Sequence, residues 1–137
     1  MGRIMAIDYG QKRTGIAVTD PLQFFATGLD TISTHELITF LISYCQKNEV
    51  DEFVVGNPVQ MNNQPSESVV FIKPFLKLLQ KTFPDKKLTS FDERFTSKMA
   101  TQAILESGVN KKTRSDKALI DKVSATILLQ SYLVSIK

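Results

Sequence analysis

The run Phe53-Val54-Val55-Gly56 has no polar residue and none of the alternation of a strand with one wet face. A run this short and apolar reads as a strand buried on both faces, so other elements must pack above and below it. Around it the chain supplies further strands. Arg3 to Asp8 is β-rich, the turn Tyr9-Gly10-Gln11-Lys12-Arg13 follows, and Thr14 to Thr19 forms a second strand. Two strands joined by so few residues make an antiparallel hairpin. Asp20-Pro21 ends it, and a third strand is expected near Ala26 to Ile32.

Beyond the hairpin, helix and strand alternate. Ser33-Thr34-His35-Glu36 fits a capping box, with Leu37, Ile38, Leu41, Ile42 and Cys45 recurring at helical spacing behind it. Asn57 to Ser66 is a polar loop, and Val69 to Phe83 is helical in period, with Pro74 expected to kink that helix or delay its start. Lys87 to Phe91 is a strand. Thr96 can cap a helix that stops at Gly108, Val109 to Ser115 is a basic loop, and Asp116 to Ile136 is a long final helix. The order predicts an α/β fold: a five-stranded mixed sheet, antiparallel on one side and parallel on the other, with helices packed on it. In such sheets ligands gather at the carboxyl ends of the parallel strands.

The 137 residues suggest one domain, at roughly 150 residues per domain. With 42% hydrophobic and 23% charged residues, the chain is too apolar to be disordered. The net charge of +3 is compatible with nucleic acid without requiring it. A single cysteine, Cys45, excludes an intramolecular disulfide and suits the cytoplasm. No apolar run approaches the roughly 18 residues of a membrane span, and no secretory leader is visible. Lone His35 and lone Cys45 exclude a Cys/His zinc site, so any metal must be held by oxygen.

Three acids are placed to supply that oxygen. Asp8 ends the first strand, and Asp92-Glu93 end the last. Asp121 shares a helix face with Ala125, Leu128 and Tyr132, on the side the final helix should bury. An ionised carboxylate in apolar surroundings costs several kcal/mol unless it is neutralised. Hard divalent cations such as Mg²⁺ neutralise carboxylates, and such ions serve phosphodiester hydrolysis without any histidine. Taken singly, Asp8 reads as a turn former, Asp92-Glu93-Arg94 as a surface ion cluster, and Asp121 as a partner for a lysine. Three acids from distant elements aimed at one sheet edge favour the metal. Basic residues surround them: Lys12 and Arg13 on the hairpin tip, Arg94 after Glu93, and Lys111, Lys112, Arg114, Lys117 and Lys122 before and into the last helix. Such a run is commonly a solvated face, yet lysines at a helix N-terminus oppose the macrodipole, which makes more sense if they bind phosphate. Phe24, Phe25 and Phe95 are candidates for base stacking.

Four blocks together resemble the YqgF/RuvX family, in the RuvC-like branch of the ribonuclease H superfamily. They are Ala6 to Asp20 (AIDYGQKRTGIAVTD), Val54 to Pro58 (VVGNP), Asp92 to Ser97 (DERFTS), and Ile120-Asp121 leading into Ala125 to Leu133. The resemblance spans essentially the whole chain. It implies one ribonuclease H-like nuclease domain over residues 1–137, a three-layer fold with helices on both faces of the sheet. Members are described as Holliday junction resolvases and as nucleases that mature the 5′ end of pre-16S rRNA in ribosome biogenesis. By resemblance, Asp8, Glu93 and Asp121 match the catalytic acids holding Mg²⁺ or Mn²⁺, with Asp116 a supplementary acid or merely a helix start. Lys12, Arg13 and Arg94 match the flanking basic positions. The chain departs from the family pattern at Asn62-Asn63-Gln64-Pro65, where an Asp-Gly-like turn is usual.

The reading that follows is a metal-dependent nuclease, a hydrolase acting on ester bonds in the cytoplasm. Its substrate would be an rRNA precursor, with the ribosome as a possible partner; a DNA junction is the alternative. No membrane partner is expected, and the chain should be a monomer or weak homodimer. A nucleotide-binding module of the actin and sugar-kinase kind also places Asp-x-Gly on a phosphate-facing hairpin, but such proteins close two related domains around the nucleotide. A non-catalytic RNA-binding protein is the third possibility, and the intact acidic set speaks against it.

Overall fold

The strand-forming runs pair into one five-stranded sheet in the computed structural model, which describes residues 2–57, 69–92 and 117–136. The elements are β1 (Arg3–Asp8), β2 (Arg13–Thr19), β3 (Ala26–Ser33), α1 (Leu37–Lys47), β4 (Val50–Asn57), α2 (Val69–Thr82), β5 (Lys87–Asp92) and α3 (Lys117–Ser135). The strand order is β3-β2-β1-β4-β5. The hairpin half is antiparallel, with Ile7 opposite Ile16 and Asp8 opposite Gly15. The other half is parallel, with Ile7 beside Val55 and Gly56 beside Phe91. This is the mixed α/β sheet expected of a ribonuclease H-like chain.

Side-chain alternation divides the core into two layers. Met5, Ile7, Ile16, Phe53 and Val55 face Leu37 and Leu41 of α1 and Ile72, Phe75 and Leu79 of α2. Ile4, Ala6, Ala17 and Val54 face Ala125, Leu128, Leu129, Tyr132 and Leu133 of α3. Both faces of β4 are therefore covered, as its apolar run requires. Each fully buried aliphatic side chain contributes about 1.5–3 kcal/mol by leaving water. No helix among the described residues is long and apolar enough to cross a membrane.

Several local expectations are corrected. Ser33 makes no side-chain capping bond: it ends β3 in an extended conformation, and a 3-10 turn over Thr34–Glu36 leads into α1. The capping box fails because the residue meant to cap is still in the sheet. Ile42, expected on the buried stripe of α1, is 40% exposed, whereas Leu37 and Leu41 are fully buried. Pro74 does not delay α2, which starts at Val69 and continues through it. The proposed helix after Thr96 and the loop at Asn62-Asn63 lie outside the described residues.

One buried acid had no place in the sequence reading. Glu52 sits on the α3 side of β4, where it accepts hydrogen bonds from Thr89 Oγ1 at 2.6 Å and from the Tyr132 hydroxyl. Lys87 Nζ approaches it only to 4.0 Å, from an exposed position. Tyr132 also meets Phe91 edge to face, at 5.7 Å between centroids. The two tyrosine contacts pin the last turns of α3 to β4 and β5.

Burial, and then the bond to Glu52, push the Tyr132 hydroxyl above its ordinary value of 10.0. A raised folded-state value means stability is complete below the unfolded value and is lost as pH rises through the folded one. Tyr132→Phe should cost about 1–3 kcal/mol at neutral pH by stripping Glu52 of a donor. Above about pH 10 the gap between wild type and variant should narrow, as the wild type alone loses the tyrosine-linked part. Urea unfolding across pH 7 to about 11 measures both, and equal stability at neutral pH would contradict the role given to this bond.

Candidate metal centre

Asp8 is the last residue of β1, in the middle strand of the sheet, at the carboxyl end of the parallel half. Ile4 and Ala6 point to α3, so Asp8 has the parity of that face. Directly across on β2 is Gly15. On β4 the level neighbour is Gly56, one residue past the Ile7–Val55 pair. Neither flanking glycine presents a side chain beside Asp8 on that face. A Cβ at either position would project on the face that carries Asp8. An oxygen-coordinated hard cation is held by carboxylates, and Asp8 supplies one at this edge of the sheet.

The turn after Asp8 is closely built. A Cβ at Gly10 would stand 2.3 Å from the Arg13 carbonyl oxygen, so only glycine fits there. Thr34 ties the turn to the start of the first helical region. Its N–H donates to the Lys12 carbonyl at 3.0 Å, and its hydroxyl donates to the Gly10 carbonyl at 2.6 Å. The Thr14 hydroxyl lies 2.9 Å from the Thr34 hydroxyl. Lys12 is exposed on this turn, and Arg13 is half-buried where β2 begins. Both belong to the hairpin that links Asp8 to β2, as the sequence predicts.

The remaining acids are placed less fully. Glu93 follows directly on β5, whose Phe91 pairs with Gly56, but it lies outside the described residues. Two strand spacings, about 10 Å, separate β1 from β5 at this level. Position 121 falls within α3, four residues before the fully buried Ala125. The helix runs back toward the carboxyl end of β1. Tyr132 meets Glu52 at the level of Ile4, whereas the Lys122 stem and Thr126 lie against Gly28, at the level of Ala6. The Ser124 hydroxyl, one turn beyond position 121, is buried without a hydrogen-bond partner among the described residues. The apolar stripe of α3 thus gives way to polar groups toward its start.

Arg94, Lys111, Lys112, Arg114 and Asp116 lie outside the described residues, and Lys117 marks the start of α3. Among the described residues no three His, Cys, Asp or Glu side chains gather into a metal-binding group. Phe24 and Phe25 are exposed, at 57% and 74%, but they sit in the β2–β3 connection. That connection lies at the opposite end of the sheet, because β2 runs back from Gly15 beside Asp8 to Thr19 beside Ile4. Six residues of strand, about 20 Å, therefore separate the pair from Asp8, and they do not line this site. Their connection is held by the Asp20 carboxylate, which accepts from the N–H groups of Leu22, Phe24 and Phe25. The bond from Phe25 is the largest of the influences that lower the Asp20 carboxyl below its usual value.

The sequence reading missed Thr34 and the two flanking glycines. A glycine inside a strand marks close approach or space, so Gly15 and Gly56 were legible in principle. Thr34 carried no such signal, because its partners are 20 and 24 residues away.

A family model described as "RuvX: Holliday junction resolvase" matches residues 2–135. A protein of Phocaeicola vulgatus is 55% identical over all of this chain and 99% of its own length. One from Flavobacterium johnsoniae is 57% identical over 98% of each chain. One from Porphyromonas gingivalis is 55% identical over 97% of this chain and 96% of its own. All three carry the name "Putative pre-16S rRNA nuclease". With an Asp-ended first strand, the mixed sheet and a match over nearly its whole length, this chain belongs to the RuvX family.

Proposed function

We propose that this chain is a nuclease that hydrolyses phosphodiester bonds with the help of divalent cations, and that its substrate is the 5′ region of pre-16S rRNA. The observation that carries the reading is Asp8, set at the carboxyl end of the sheet between Gly15 and Gly56 and followed by a basic, tethered turn. The substrate comes from the relatives' shared name. Four-way DNA junctions are the second reading, favoured by the description of the matching family model. The cytoplasm, with the ribosome as partner, suits a chain whose single cysteine is a free thiol.

Asp8, Glu93 and Asp121 would hold Mg²⁺ or Mn²⁺. Glu93 follows β5 directly in the sequence, and within β5 Thr89 bonds to Glu52 on the α3 side of the sheet. Position 121 lies in the first turns of α3, just ahead of those that cover β3 at Gly28. Bound divalent ions activate water and stabilise the departing oxygen in hydrolysis of this class. Lys12 and Arg13 attract the sugar-phosphate backbone and set its register beside Asp8. Arg94, Lys111, Lys112, Arg114 and Lys117 extend the same positive field along the strand being bound. Junction cutting is symmetric and calls for two copies, whereas trimming an RNA end needs only one.

Asp8→Asn should lower metal-dependent cleavage by more than about a hundredfold, because it removes a charged ligand and keeps the side chain's shape. Its thermal midpoint in metal-free buffer should match the wild type. The assay compares precursor rRNA with four-way junctions in Mn²⁺, and undiminished cleavage by the variant removes Asp8 from the mechanism. Preferential cutting of junctions would move the proposal to the second reading. Gly15→Ala places a methyl on Asp8's face, so half-maximal cleavage should need several times more Mn²⁺ than in the wild type. A metal titration unchanged by that methyl would show that the space is not used.

A further inference from the structure

On the opposite face of β1, at the same carboxyl end, a cavity of about 340 Å³ opens between α1 and α2. Tyr9, His35, Ile38, Pro74, Phe75 and Leu78 line it. Its volume falls in the lower part of the range for sites that hold small organic groups, roughly 300–1,000 Å³. The Tyr9 ring stacks on Phe75 at 4.6 Å between centroids and 21° between planes, which holds that wall in place. His35 and Leu78 are 80% and 47% exposed, so flat and apolar surface is left open to solvent.

Two observations indicate what covers it. Tyr9 follows Asp8 directly, so the cavity starts one residue from the candidate metal carboxylate, on the other side of the strand. Thr34, which also lines the cavity, donates its N–H to the carbonyl of Lys12, and Arg13 comes next. The exposed Lys12 therefore belongs to a turn that is tied to the wall of an aromatic and apolar slot. Glu36 Oε1, 3.9 Å from His35 Nε2, turns its charge toward the imidazole. A nucleotide has the matching parts, a flat apolar base and an anionic phosphate.

We propose that this cavity binds an unpaired nucleobase of the substrate strand, adjacent to the phosphodiester to be cut, while Lys12 meets a neighbouring phosphate. The proposal rests on the nuclease reading for its choice of substrate, but base binding itself needs no metal. A paired base hides its faces in the stack, so the cavity selects strands with an unpaired nucleotide next to the cut.

The probe is a short single-stranded RNA carrying 2-aminopurine, whose fluorescence falls when the base stacks, titrated in EDTA buffer. Wild type and Asp8→Asn should both quench it. The double variant His35→Ala/Leu78→Ala should bind about tenfold more weakly and leave the fluorescence high. Ile38→Trp, which fills the cavity, should do the same, and thermal melting of each variant shows that the fold is retained. Affinity for the same sequence as a blunt duplex should fall much less. Equal losses for single strand and duplex overturn the proposal, and so does wild type that never quenches. A change in sedimentation mass on filling the cavity also overturns it, since a second copy of the chain would then be the occupant. Quenching without any cleavage leaves the base site standing and removes the nuclease reading; cleavage without quenching does the reverse.

Discussion

The alternation of side chains along β1 couples the core to the site. Ile4 and Ala6 are buried against α3, and Met5 and Ile7 against α1 and α2. Asp8 inherits the α3 face because it is two residues past Ala6, and Tyr9 comes out beside the α1–α2 cavity. A one-residue slip in pairing would send every side chain of β1 to the wrong layer. The apolar burial that fixes the register therefore also fixes where the carboxylate points. Core energy, at about 1.5–3 kcal/mol per large buried side chain, does the positioning that a loop could not.

Glu52 and Tyr132 extend the same constraint to the helix. A buried carboxylate is tolerable only with its oxygens occupied, and Thr89 and Tyr132 occupy them. Because these contacts fix the C-terminal part of α3 against β4, the rigid helix transmits its placement to position 121, eleven residues earlier. At 1.5 Å per residue that is about 16 Å of helix. From Glu52 to Gly56 along β4 is about 13 Å. Much of the helix length is taken up across the sheet, because α3 passes from Glu52 on β4 to Gly28 on β3, at the level of Ala6.

Most of the fold was legible because its signals are local. The hairpin, the apolar β4 and the final helix announce themselves through period and punctuation, and their order dictates a mixed sheet. What escaped depends on distant partners. Ser33 has the right chemistry for a cap, but β3 pairs as far as Ser33 with Arg13 and takes it into the sheet. Glu52 gave no signal in the sequence, because nothing near it shows that Thr89 and Tyr132 are its partners. Phe24 and Phe25 were readable as exposed aromatics but not as remote ones, since only the antiparallel register of β1 and β2 sends them to the far end. The acids and the hairpin cations were readable only as candidates, from the strand ends and the turn that carry them. The two glycines beside Asp8 were harder to read, because they act through the side chains they lack.

Thr34 shows how small the link between these parts is. Its N–H and hydroxyl reach the carbonyls of Lys12 and Gly10, so one residue ahead of α1 holds both sides of the turn after Asp8. Gly10 makes the turn sterically possible, and Thr34 restrains it. The same residue lines the cavity beside Tyr9. Movement of this turn must therefore change the cationic approach to Asp8 and the mouth of the cavity together. A strand bound across both would meet a preorganised edge, with its charges and its slot already in fixed relation, and would avoid the entropy of ordering them. Substitution of Thr34 by valine keeps the backbone bond to Lys12 and loses the hydroxyl bond to Gly10, so it isolates the side-chain half of that coupling from the rest of the fold.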